Sequence, residues 1–272
     1  MRRQQQRRRE WFQHWFNSHF YPLVYQHRDQ AEAAVVVQLF LETCPLPPGA
    51  KILDLCCGTG RHAIPLAQAG FNVTGLDIST TLLQYAQRQG ATLPNLRLVQ
   101  QDMRLPFPDA PYDAILNLFT SFGYFETSDE DLQVLKNVAA ALRPGGIFFF
   151  DYLNVPYTLR TLRHRDERVI ANLHIIQTRS VNGKWLRKTI HIRDSEGAHH
   201  QFEERVRLYT LSDFQQLFAA VGLHIRRTFG NYDGTPYHPE RSPRVIIVAQ
   251  KNTSAEATRA DGSKHNADSQ EH

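Results

Sequence analysis

What this 272-residue chain lacks narrows it first. It has three cysteines and two methionines, so a disulfide framework is out of reach. The adjacent pair Cys56-Cys57 has no Cys/His partners at zinc-binding spacing, and no metal site is expected. These cysteines read as small buried side chains in a reducing compartment, which makes the cytoplasm the expected location. No apolar run approaches the ~18 residues of a membrane span, and no apolar stretch follows the basic start as it would in a secretory leader. Charge of one sign is scarce too. The formal net charge is +4, and five arginines against Glu10 in the first ten residues account for all of it. The remainder is near neutral, without the footprint of a nucleic-acid binder. Neither a membrane nor a nucleic acid is an expected partner; a homo-oligomer stays open.

The chain divides by pattern. Residues 1–9 are an Arg/Gln tail expected to be disordered, and 10–49 read as an N-terminal helical lid, with aromatics at Trp11, Phe12, Trp15 and Phe16 and a break around Pro22. From 50 onward strands alternate with helices. Strands are expected near 51–56, 72–76, 96–100, 112–117 and 147–151, and helices near 60–69, 79–89 and 129–142. That order implies a parallel sheet with helices on both faces, whose ligands bind beyond the carboxyl ends of the strands. Between 155 and 209 the period changes to two, with hairpin signals at Asn182-Gly183 and Asp194–Gly197, so a three- or four-stranded antiparallel insertion is expected to cover the cleft or pack on the main domain. A helix capped by Ser212 and strands near 223–229 and 244–249 complete the domain at about 250. Residues 251–272 read as a second disordered tail.

One stretch carries the chemistry. Lys51-Ile52-Leu53-Asp54-Leu55-Cys56-Cys57-Gly58-Thr59-Gly60 is an apolar strand ending in an acid, then a glycine-bracketed turn onto a helix N-terminus, where backbone N–H groups can approach a ligand. Gly58–Ala63 also satisfies G-x-G-x-x-A, the turn of dinucleotide-binding enzymes. Asp54 argues against that, since a carboxylate repels a pyrophosphate and attracts an ammonium group. Two further acids end the next strands, Asp77 before Ile78-Ser79 and Asp102 before Met103. Asp77 can accept both hydroxyls of a ribose, or simply cap the next helix.

The pattern Asp54, Cys56, Gly58, Gly60 resembles the S-adenosylmethionine (SAM) loop of class I methyltransferases, with Cys56 in place of the first glycine. The resemblance covers residues 50–151 well and the rest loosely. It implies an α/β fold: a doubly wound, seven-stranded, mainly parallel sheet, here with a small antiparallel β insertion after the fifth strand. It implies SAM as cofactor, with Asp54, Cys56, Gly58, Gly60, Asp77, Ile78, Asp102, Met103 and Asn117 around it. Ile78 would pack on adenine, and Asp102 would accept its amino group. From the lid, Tyr25 would stand near the sulfonium and Arg28 would pair with the methionine carboxylate. The loop Asn117–Tyr124 would border the reacting methyl group, and it lacks the Asn-Pro-Pro-Tyr of enzymes that methylate bases. Tyr124 and His238 are the candidate proton acceptors; His62 reads as packing. The expected activity is methyl transfer to a nitrogen or oxygen of a small molecule. The alternatives are an NAD-dependent oxidoreductase and a non-catalytic protein of the same fold that docks on RNA through its arginine tail.

Overall fold

In the computed structural model residues 10–26 and 30–253 are described; the arginine tail, Arg28 and residues 254–272 lie outside them. Three helices come first: α1 (Trp11–Phe16), α2 (Phe20–Val24) and α3 (Gln30–Thr43). The alternation then runs β1 (Lys51–Leu55), α4 (Ala63–Gln68), β2 (Asn72–Asp77), α5 (Thr80–Gln89), β3 (Leu96–Gln100), β4 (Tyr112–Asn117), α6 (Ser128–Ala141) and β5 (Leu142–Leu153). After α7 (Val155–Arg160), four strands form the insertion: β6 (Arg165–Ile170), β7 (Leu173–Asn182), β8 (Trp185–Arg193) and β9 (His199–Arg207). The described elements close with α8 (Leu211–Ala220), β10 (Leu223–Phe229) and β11 (Arg244–Lys251).

The main sheet has seven strands in the order β10-β11-β5-β4-β1-β2-β3. Five run parallel, and β11 pairs antiparallel with both β5 and β10. Strands covered on both faces read as continuous apolar runs, and Ile147-Phe148-Phe149-Phe150 of β5 is one. Phe148 and Phe150 pack with Phe214 and Phe218 of α8 on one face, while Phe149 meets Phe40 of α3 on the other. Each such fully buried ring contributes roughly 1.5–3 kcal/mol. Helix α6 starts on a capping box in which Thr127 and Glu130 satisfy each other's backbone N–H groups, and Asp129 and Asp131 complement its dipole.

The second sheet, in the order β6-β7-β8-β9, is antiparallel throughout. Its inner face buries Ile175, Ile190, Ile192 and Phe202 against Trp15, Phe20 and Val24 of α1 and α2. It is tied to the main domain where Arg207 N–H donates to the Gly123 carbonyl (2.8 Å) and the Tyr152 hydroxyl donates to the Arg207 carbonyl.

Four local expectations change. Pro22 does not break a helix but sits in the first turn of α2, where its missing N–H costs nothing; the break comes before it, at Asn17–His19. Helix α8 is capped by Thr210 with Asp213, two residues earlier than Ser212. Of the three N-terminal helices only α1 and α2 reach the cleft, because α3 spends its apolar face on the main sheet. The last strand runs to Lys251, so the ordered chain extends past 250.

Candidate active site

The carboxyl ends of β1, β2 and β4 open into a cavity of about 300 Å³ roofed by the second sheet and by α1 and α2. Asp54, in β1, is only 1% exposed and stands behind the loop, outside the cavity wall, with Oδ2 lacking any hydrogen-bond partner. Burial, and next the neighbouring Asp77 charge, raise its pKa to about 7. The loop bends back so that Cys56 and Cys57 N–H groups both donate to the Leu76 carbonyl, at 2.7 and 3.0 Å. That bend puts Cys56 at φ +67°, Gly58 at +55° and Gly60 at +81°. Glycine adopts such angles without strain, and cysteine does so at a cost. A Cβ on Gly60 would also press Ala86 and Ile64 at 3.1 Å.

Asp77 lies in the wall. The Gly58 N–H donates to one of its oxygens and the Ser79 N–H to the other, both at 2.8 Å. Each oxygen keeps a second lone pair. Burial raises its pKa. The helix-capping alternative belongs to Ser79, whose hydroxyl caps α5. Ile78, Asp102, Met103 and Cys56 share the wall. Asp102 is held by Arg104, which also pairs with Glu10 and Glu130. Asn117 is buried off the wall; its amide donates to the Leu55 and Ser121 carbonyls and joins β1 to the loop after β4.

That loop is strained. Phe119 (φ +58°) and the β-branched Thr120 (φ +63°) are consecutive left-handed residues, each costing of order 1–3 kcal/mol. Buried Asp151 holds them there. Its carboxylate accepts the Phe119 N–H (2.7 Å), its carbonyl accepts the Thr120 N–H (3.1 Å), and it pairs with Arg244 at 2.8 Å and accepts the Tyr232 hydroxyl at 2.9 Å. Arg244 reaches on to Thr120 Oγ1 at 3.0 Å. His62 stacks on Phe119, and burial lowers its pKa to about 3, so its ring stays neutral.

The two candidate proton acceptors fare differently from each other. Tyr124 lines the cavity, but burial raises its pKa well above 10, so it acts as a neutral phenol rather than as a base. His238 is absent from the wall; its Nδ1 accepts the Glu240 N–H within its own turn. Tyr25 is in the wall and donates to Glu204, while Lys188 donates to both. Arg28 lies outside the described residues. Thr120 lines the cavity from the loop that the sequence placed there, and Arg61, Arg179, Leu186, Lys188, Glu204 and Arg244 also line it without having been singled out from sequence. A signal for part of this set existed: Arg179, Lys188, Glu204, Leu186 and Val206 fall on the same period-two phase as the buried Ile175, Ile190 and Phe202. Charges on the inward phase of an amphipathic strand mark a polar interior. No group of three or more His, Cys, Asp or Glu able to hold a metal occurs among the described residues, and no helix among them is long and apolar enough to cross a membrane.

A strand-end acid behind a glycine turn, a second acid gripping that turn, and a covered cleft define a nucleotide-type cofactor pocket. Comparison with known proteins says which one. Residues 52–146 match the family model described as a methyltransferase domain. YqeM of Bacillus subtilis (strain 168), a methyltransferase by its name, is 29% identical over 219 residues, covering 76% of this chain and 86% of that protein. The dTDP-3-amino-3,4,6-trideoxy-alpha-D-glucopyranose N,N-dimethyltransferase of Streptomyces venezuelae is 26% identical over 79% of this chain and 92% of its own. The fold is that of a solved SAM-dependent methyltransferase from Clostridium acetobutylicum ATCC 824, at TM-score 0.73 and 21% identity over 86% of this chain and 96% of that one. The chain carries a methyltransferase domain on the fold of SAM-dependent methyltransferases, and the cofactor that such a domain implies is SAM.

The residues present fit that cofactor. Two buried carboxylates, Asp54 and Asp77, repel each other, and Asp54 Oδ2 has no hydrogen-bond partner to offset its charge. A cation at the mouth of the loop would offset both.

Proposed function

We propose that this enzyme transfers a methyl group to a nitrogen or oxygen of a small molecule enclosed between the strand ends and the antiparallel cap. The observation that carries this reading is the shared wall. Asp77, Asp102 and Cys56 from the main domain face Tyr25, Leu186, Lys188 and Glu204 from the lid and cap across one cavity. An enclosed space of this size suits a metabolite rather than a polymer. The relative from Streptomyces venezuelae, named for an amino-sugar acceptor, supports the same class.

Bound SAM supplies an already activated methyl group, so the protein's task is to align rather than to activate. Asp77 would hold the ribose hydroxyls, Ile78 and Met103 would flank the adenine, and Asp102 would accept its amino group. Asp54 would attract the ammonium end through the loop. Tyr124 and the Phe119-Thr120 pair border the space where the acceptor must stand, and the aromatic collar of Trp11, Phe16 and Tyr21 excludes water from it.

Labelled-methyl transfer from SAM into metabolite extracts tests the reading, with binding of S-adenosylhomocysteine measured by calorimetry alongside. Asp77→Ala should weaken that binding by roughly 10- to 100-fold, the scale of lost charge-assisted hydrogen bonds, and labelling should fall with it. Unchanged binding by the variant would remove Asp77 from the cofactor site. Label appearing only in macromolecules would reject a small-molecule acceptor.

A further inference from the structure

The geometry of the cap points to an acceptor that carries an anionic group, a carboxylate or a phosphate, docked on the cross-strand row Arg179–Lys188–Glu204. The inference rests on the small-molecule reading above and narrows it.

Arg179 stands directly opposite Lys188, and Lys188 directly opposite Glu204, on β7, β8 and β9. All three side chains belong to the cavity wall. Directly opposed residues on antiparallel strands bring their Cβ atoms to about 4.5–5.5 Å, and like charges so placed destabilise the sheet. Arg179 and Lys188 are such a pair, and their side chains are only 21% and 14% exposed, so water screens them poorly. A surface that keeps two confined cations side by side is matched by an anion set between them.

The placement of the counter-charges strengthens the case. Lys188 is balanced by Glu204, inside the wall at 3.2 Å. The partner of Arg179 is Asp166, and that of Arg205, another wall residue, is Glu126; neither acid reaches the cavity. The inward phase of the cap therefore presents two cations, Arg179 and Lys188, against the single acid Glu204. The other two acids of the wall, Asp77 and Asp102, end strands of the main sheet and face the cofactor half. Arg179 also has capacity to spare. Asp166, Gln177 and the Arg163 carbonyl take three N–H donors of its guanidinium, which has five. In the low dielectric of a covered cleft the remaining donors form strong bonds to a carboxylate or phosphate.

The test uses the full-length enzyme saturated with S-adenosylhomocysteine. Calorimetric titration compares three matched pairs: glucosamine 6-phosphate with glucosamine, β-alanine with propylamine, and 4-hydroxybenzoate with phenol. The expected result is that in at least one pair the member bearing the anionic group binds about tenfold or more tightly than its partner without it. Whether the phosphate or the carboxylate pairs show the gain tells the two anions apart. Arg179→Met should shrink that gain to within about twofold. Lys188→Met should reduce it as well, which keeps the test sound should loss of Arg179 disturb the sheet. Both variants should bind S-adenosylhomocysteine within about twofold of wild type. Members without the anionic group binding as well as those bearing it, a preference that survives both substitutions, or no gain in any pair would overturn the inference. Failure of the wild-type enzyme to bind S-adenosylhomocysteine would instead count against the methyltransferase site itself.

Discussion

The two walls of the cavity are built in opposite ways. On the strand-end side the groups are fixed by the main chain: Asp77 by the N–H groups of Gly58 and Ser79, the Cys56–Cys57 bend by the Leu76 carbonyl, the Phe119-Thr120 pair by Asp151. On the cap side the groups fix each other. Trp15 and Tyr25 donate to Glu204, and Lys188 donates to Tyr25 and Glu204, each bond running from side chain to side chain. A side chain held by backbone can be exchanged only by changing the fold. A side chain held by side chains can be exchanged together with its neighbours. Under the proposed function, the cofactor, the constant part of the reaction, belongs to the first wall and the acceptor, the variable part, to the second.

The largest expected effect breaks the strand-end wall at its most buried charge. Asp151 is fully buried and answers Arg244, Tyr232 and the Phe119 N–H at once. Asp151→Asn removes the counter-charge of Arg244 and leaves one side-chain acceptor oxygen where two served Arg244, Tyr232 and the Phe119 N–H, while the main-chain carbonyl still holds Thr120. Breaking a buried pair costs about 3–5 kcal/mol, which urea unfolding should read as a clear drop in the midpoint. A loss below about 1 kcal/mol would mean that the left-handed pair holds itself and that the backbone-pinned wall is less dependent on Asp151 than its geometry indicates.

A smaller effect is expected from the cap. Trp15→Phe keeps the aromatic packing against Phe202 and deletes only the indole N–H that donates to Glu204 at 2.6 Å. Tyr25 and Lys188 still satisfy the carboxylate, so a loss of about 1–2 kcal/mol in the same unfolding measurement is expected. Affinity for S-adenosylhomocysteine should stay unchanged, whereas binding of an anionic acceptor should weaken as Glu204 and Lys188 loosen. Equal weakening of both ligands would erase the division of labour between the walls.

The same contrast explains what could be read without coordinates. The strand-end wall follows from local sequence, because each acid lies one step from the turn it serves: Asp54 before Cys56–Gly60, Asp77 before Ser79, Asp102 before Arg104. The sheet was equally legible, since runs such as Ile147–Phe150 admit few other environments. The cap set joins residues far apart in the chain, Trp15, Tyr25, Lys188 and Glu204, so no window of sequence contains it. Its strands were visible as alternation, but their register, which brings Arg179 opposite Lys188, depends on hairpin lengths at Asn182-Gly183 and Asp194–Gly197. The choice of His238 shows the limit of judging by residue type, for a polar-aromatic loop can turn its histidine into its own backbone.

The finest test of the comparison concerns Asp54, the strand-end acid that stands outside the cavity wall and, under the proposed function, acts through its charge. Its pKa of about 7 in the ligand-free enzyme reflects burial and the nearby Asp77. The carboxyl is therefore mostly protonated at pH 6 and mostly ionised at pH 8. SAM carries a positive sulfonium that S-adenosylhomocysteine lacks, while the α-amino group is common to both ligands and cancels in their ratio. A cation favours the ionised carboxylate, so SAM should gain affinity relative to S-adenosylhomocysteine as pH rises through 7 and lose it as pH falls. If SAM bound only the ionised form, the ratio would change by about tenfold between pH 6 and pH 8, and a severalfold change is expected by calorimetry. In Asp54→Asn the group no longer titrates, and the ratio should be flat across the same range. The Arg179→Met cap variant should keep the wild-type slope, because its charge lies on the wall that does not hold the cofactor. A slope that disappears in Arg179→Met and survives in Asp54→Asn would reverse the assignment of the two walls.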